Sequence, residues 1–244
     1  MTIKTRLKNF TLLADVKGNK KVGGGLSISI IDNGGFDLDT IRQTGQKACG
    51  DCKHARPTDG RGQGACYVYA RPGGGQGALG GILSDLNKAL DLPLSEFSKQ
   101  CVQLAKGFKY CRVGKFGDPA ASTETVAFFK GFIGALRDAD VSYTGYTHNW
   151  EKHRAKPLKG LLMASCDTYG EALQAIDKKW GVYQVIGRNE ETQHLHCPSQ
   201  RQQKKKKAVE KVDKIAALSI AVPTCAECGL CDGKRVSIIQ VQKH

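Results

Sequence analysis

Long apolar runs are missing from this chain. No stretch is long and apolar enough to span a bilayer, and the basic start MTIKTRLKNFTLLADVKGNKK lacks the apolar segment of a secretory signal. The expectation is a cytoplasmic protein without a membrane partner. Acidic residues are also in short supply: 23 Asp+Glu face 37 Lys+Arg, a formal charge of +14. A field of that sign attracts polyanions and makes nucleic acid the first partner to consider. Hydrophobic residues make up 40% and charged residues 25%, which excludes a disordered chain and describes an ordinary globular one. With 244 residues it holds one sizeable core, or one domain with an appended module.

Cysteine is what the chain has in plenty. Of ten, seven fall into two tight groups. In a reducing compartment such spacings read as metal ligands before disulfides. The C-terminal group is Cys225-x2-Cys228-x2-Cys231, and Cys197, beside Pro198, supplies a fourth thiolate. Four thiolates fit a [4Fe–4S] cluster or a tetrahedral zinc ion, and the dense CxxCxxC step with a remote Cys-Pro favours the cluster. The N-terminal group has three members, Cys49, Cys52 and Cys66. Three thiolates on a [4Fe–4S] cluster leave one iron open to a substrate or cofactor. His54, two residues past Cys52, offers the other solution, a closed Cys3His zinc site.

The order of elements points to an α/β fold. Residues 26–31 (LSISII) read as a strand, the first cysteine loop runs into a strand-like segment at 67–70, and 71–81 (RPGGGQGALGG) reads as a glycine-rich loop. Amphipathic helices are expected over 82–90 and 95–105. From residue 109 the chain repeats βα units: strands at 109–114, 141–146, 161–165 and 182–186, helices at 123–136 and 169–178. This rhythm predicts a parallel arrangement, open or barrel-like, in which the polar residues just after strands line the functional face. Those residues are Asp118, His148, Asp167 and Arg188. The expected organisation is a barrel-like domain over 1–200, then a basic linker or helix at 201–214, the cysteine knuckle at 225–233 and a last strand at 236–241.

Weaker signals accompany these. Gly75-x-Gly77-x-x-Gly80 satisfies the dinucleotide fingerprint, but Pro72 and the extra glycines blur its strand-to-helix turn, so a loop is the better reading. His194-Leu195-His196 imitates the metal-binding motif of rolling-circle nicking enzymes, yet the last tyrosine is Tyr183 and none follows the motif. Asp118 and His148 are candidate catalytic groups, His148 as an acid or base near neutral pH, and Trp150 is a candidate for stacking on a base. The lysine run at 204–207 is either a solvated face or a set of phosphate contacts. Cys101, Cys111 and Cys166 read as small core residues.

The sequence resembles the small radical-S-adenosylmethionine-like proteins encoded by phages and other mobile elements. The likeness rests on the first cysteine loop ending in Cys66-Tyr67, on CRVGKFGDPA around Asp118, TGYTH around His148 and MASCD at 163–167, and on the Cys197-to-Cys231 tail. It implies a partial TIM-like barrel with a cluster held at its mouth by Cys49, Cys52 and Cys66, to which S-adenosylmethionine would chelate. Standard members space those cysteines CxxxCxxC; here the spacing is Cys-x2-Cys-x13-Cys. An inactive relic, a zinc site and a non-standard cluster all stay open at that position. The leading expectation is therefore a protein with one or two [4Fe–4S] clusters acting on or near nucleic acid. The alternative is a zinc-stabilised nucleic-acid-binding protein without catalysis, supporting phage or plasmid replication.

Overall fold

The computed structural model describes residues 1–16, 24–33, 47–55, 76–187 and 190–242. Strands β1 (Thr2–Leu7) and β2 (Phe10–Asp15) form an antiparallel hairpin. Its tight turn is Lys8-Asn9, with Lys8 at φ 50, as a two-residue hairpin connection requires. β3 (Leu26–Asp32) pairs with the other edge of β2, which is buried along its whole length because Leu12 and Ala14 enter one apolar cluster and Leu13 enters another. After β3 come α1 (Gln76–Lys88), the short β4 (Leu90–Asp91) and α2 (Leu94–Phe108).

The βα rhythm follows. It runs β5 (Tyr110–Val113), α3 (Thr123–Asp138), β6 (Ser142–Thr147), a 3-10 turn at His153–Leu158, β7 (Met163–Cys166), α4 (Tyr169–Asp177) and β8 (Val182–Ile186). Local chemistry sets the helix starts. Ser122 caps α3 in a reciprocal box with Thr125, and Thr168 caps α4 with Glu171. The chain closes with β9 (Leu195–His196), α5 (Pro198–Glu210), α6 (Lys214–Leu218), α7 (Cys225–Cys228) and β10 (Ile238–Gln242).

All ten strands join one mixed sheet in the order β4-β1-β2-β3-β5-β6-β7-β8-β10-β9. β3, β5, β6, β7, β8 and β10 are mutually parallel. The expected α/β fold is present, as an open sheet whose edges among the described residues are β4 and β9. The final strand inserts between β8 and β9.

Strand alternation divides the sheet into two environments. On one face Cys111, Val113 and Tyr143 pack in a single core with Phe97 and Cys101 of α2 and Phe129 and Phe132 of α3. Each such aromatic contributes about 1.5–3 kcal/mol by leaving water. The alternate residues, Arg112, Thr144 and Tyr146, face the opposite side, where the cysteine segment lies across the sheet.

Two differences from the sequence expectation have physical causes. The β1–β2 hairpin replaces what reads as a merely basic start. Helix α1 begins at Gln76, inside the glycine-rich stretch, because Ile82 and Leu86 dock on Leu13, Ile31 and Phe116. That burial outweighs the helix cost of Gly80 and Gly81, roughly 1 kcal/mol each. The expected strand at 67–70, and Cys66, Gly75 and Arg188, lie outside the described residues. Gly77 falls in the first turn of α1.

Candidate metal centres

The C-terminal cysteines meet. Cys197 is the residue at which β9 turns into α5, with Pro198 in the first helical position, and its backbone N–H donates to the Gln240 carbonyl of β10 at 2.9 Å. Cys225 and Cys228 sit at either end of α7, a single turn started by a Thr224–Glu227 capping box. Cys231 follows, and the loop returns to the sheet through Gly233 at φ 76. A Cβ there would stand 2.6 Å from both the backbone N and O of Leu162, so only glycine lets the segment pass this close.

Cys197, Cys225, Cys228 and Cys231 line one cavity of about 90 Å³, whose floor is the sheet face carrying Tyr146 and Tyr183. None of the four is in a disulfide. Burial first, and then the fields of Cys197, Cys225 and Cys228, push the Cys231 thiol up to about 12, against a lowering hydrogen bond from the Tyr146 hydroxyl. Arg112 also borders the cavity.

A second group lies at the carboxyl ends of the parallel strands. The turn holding Cys49 and Cys52 is tied down by Asn149, which follows β6: Asn149 Nδ2 donates to the Cys49 carbonyl at 3.0 Å, and its Oδ1 accepts from the Asp51 N–H at 2.8 Å. Arg154 bridges the Asp51 carboxylate at 2.8 Å and the Ala120 carbonyl at 2.7 Å. The 3-10 turn Lys53–Ala55 then carries His54 to Asp167, with Nε2 2.7 Å from Oδ2. The His54 and His148 rings meet edge to face at 5.4 Å. Among the described residues, His54, His148 and Asp167 are the one group of three ligand atoms lying within 4.8 Å of one another.

Burial would raise the Asp167 carboxyl, but the hydrogen bond and charge of His54, with Lys53, hold it at about 2. The protein packed round His148 lowers its pKa below the ordinary imidazole value, more than Asp118 and Asp167 raise it. Lys53 reaches Asp167 at 3.1 Å and Glu171 at 2.6 Å.

Asp118 holds this corner together. It is 5% exposed. Its Oδ1 accepts from Thr147 Oγ1 at 2.7 Å and the Ala120 N–H at 2.8 Å, and its Oδ2 accepts from the His148 N–H at 2.8 Å. Its own N–H donates to the Ala48 carbonyl at 2.8 Å, joining the cysteine turn to β5 and β6. Preceding it, Gly117 at φ 75 runs so close to β3 that a Cβ would meet the Ile30 carbonyl at 2.6 Å. Asp118, expected on the active face, positions His148 through the backbone.

The remaining candidates lie elsewhere. Trp150 is buried and carries the Lys178 ammonium 5.2 Å above its ring, so no base can stack there. His194 stacks on Tyr169 and His196 pairs with Gln200, so the two imidazoles of the nickase-like motif are engaged apart from each other. Lys204, Lys205 and Lys207 are exposed along α5. Sequence reasoning missed Asn149, Arg154 and Lys53. A polar cluster directly after a strand, THN at 147–149, was the available signal for the first.

No family model, no curated protein and no solved structure matches the chain.

Proposed function

We propose that this chain is a metal-cluster protein in which Cys197, Cys225, Cys228 and Cys231 hold a [4Fe–4S] cluster. The supporting observation is the convergence of these four cysteines on one cavity. Four thiolates fit either a [4Fe–4S] cluster or a tetrahedral zinc ion. The dense Cys225-x2-Cys228-x2-Cys231 step with the remote Cys197-Pro198 favours the cluster. Tyr146 and Arg112 are placed to stabilise the anionic sulfurs.

The finer reading is a sheet curved as a partial TIM-like barrel with a second, reactive cluster on Cys49, Cys52 and Cys66, as in radical-S-adenosylmethionine-like proteins of mobile elements. Its support is the position of the Cys49–Cys52 turn at the carboxyl edge of the parallel strands, where such folds place their chemistry. A cluster with one open iron supplies one-electron reduction to bound S-adenosylmethionine. The charge of +14 and the exposed lysines of α5 support action on or near nucleic acid.

Iron and sulfide analysis of anaerobically purified protein tests the cluster, and reductive S-adenosylmethionine cleavage tests the chemistry. Cys49→Ser is expected to abolish cleavage while iron on the C-terminal set persists; Cys228→Ser is expected to lose that iron. A colourless protein with stoichiometric zinc would favour the second reading, a zinc-stabilised nucleic-acid-binding protein, which the same basic charge supports.

A further inference from the structure

We infer that His54, His148 and Asp167 form a site for a divalent first-row transition metal, of the two-histidine, one-carboxylate kind, separate from the cavity lined by Cys197, Cys225, Cys228 and Cys231. Three elements distant in sequence deliver the ligands: the 3-10 turn after Cys52, the residue after β6 and the residue after β7. Their ligand atoms lie within 4.8 Å of one another, a little wider than the roughly 4.0–4.4 Å that two atoms bound at about 2.0–2.2 Å can span, so a small side-chain rotation brings all three onto one ion. Two imidazoles and a carboxylate suit iron(II), manganese, cobalt or zinc, and three protein ligands leave positions open for water or an oxygen-donor substrate.

The surroundings fit this role. Asp118 accepts from the His148 backbone N–H, and Glu171 Oε2 accepts from the Asp167 N–H at 2.8 Å, so the backbones that carry two of the three ligands are fixed. All three ligand side chains keep some solvent access, as an exchangeable site needs. Without a metal, the Asp167 oxygen is shared by His54 and the Lys53 ammonium, two cationic or proton-bearing groups where an ion would sit. Lys53, 54% exposed, also pairs with Glu171 at 2.6 Å, a contact it would keep on giving up Asp167. A bound ion would act as a Lewis acid and lower the pKa of its water.

Manganese(II) is the probe, because imidazole, carboxylate and water suit it and thiolate does not. It is added to the full-length protein as purified, and free manganese is read by electron paramagnetic resonance. One tight site is expected in the wild type and in Cys197→Ser, which separates this site from the thiol cavity. His148→Ala and Asp167→Asn are expected to weaken it by at least roughly 10–100-fold. Lys53→Ala is expected to tighten it, which loss of a merely structural ion pair would not do. His148→Ala should melt like wild type without metal and lose the rise in melting temperature that manganese gives the wild type. Failure of the wild type to bind manganese or cobalt, or equal binding by His148→Ala and Asp167→Asn, overturns the assignment. Loss of binding in Cys197→Ser alone would move the ion to the thiol cavity and equally overturn it.

Discussion

Asp118→Asn isolates the clamp that joins the cysteine turn, β5 and β6. The carboxylate accepts three hydrogen bonds, two at Oδ1 and one at Oδ2. Asparagine keeps one acceptor. With its oxygen toward Ala120 and Thr147, its NH2 group faces the His148 N–H, donor against donor. Losing that charge-assisted bond costs about 1.5–3 kcal/mol. The two surviving bonds pass from a charged to a neutral acceptor and weaken by about half, roughly 0.5–1 kcal/mol each. The sum is about 2.5–5 kcal/mol. At about 2–4 °C per kcal/mol for a chain of this size, melting should fall by roughly 5–20 °C. Thermal unfolding of both proteins, each free of metal, is the assay. Thr147→Val, which removes one of the three bonds, should fall between wild type and Asp118→Asn. An Asp118→Asn protein within about 0.5 kcal/mol of wild type, the range of an ordinary surface change, would refute the clamp.

Gly233→Ala should lower both stability and cluster content, since its methyl meets the Leu162 backbone; differential melting and iron analysis check this, and a normal variant would contradict the packing of the cysteine loop. Burial raises the Cys101, Cys111 and Cys166 thiols, the last to about 12. Folded thiols therefore stay protonated where unfolded ones ionise. Their stabilising contribution is complete below the ordinary cysteine pKa and is lost as pH rises toward the folded values, so urea midpoints of metal-free protein should fall above about pH 8.5. Alkylation of native metal-free protein should reach Cys197, Cys225 and Cys228 while sparing Cys101 and Cys111, and bound cluster should protect the first three. If α5 contacts phosphate, changing Lys204, Lys205 and Lys207 to glutamine should reduce the salt dependence of nucleic-acid affinity, measured by titration at several ionic strengths; an unaltered slope would remove α5 from the interface.

Much of the fold was readable because its signals are local. The apolar run of β3, the βα alternation from residue 109, and the capping residues Ser122 and Thr168 specify their elements within a few positions. The β1–β2 hairpin was legible in part: Ile3, Thr5 and Leu7 alternate with charged Lys4 and Arg6, a period of two hidden by the basic composition. Start of α1 at Gln76 was not legible, since tertiary burial of Ile82 and Leu86 decides it against glycine propensity. At the site, the CxxCxxC spacing announced a turn of thiols, and the Cys-Pro start of α5 hinted at the fourth. The meeting of His54 with Asp167, 113 residues away, comes from strand order, which no local pattern encodes.

Iron and acid-labile sulfide, counted per chain in protein purified without oxygen, test the central claim most directly. The account predicts about four of each retained in a variant lacking Cys49, Cys52 and Cys66, with loss of both on Cys228→Ser. One zinc per chain at those thiols, with neither iron nor sulfide, would contradict it.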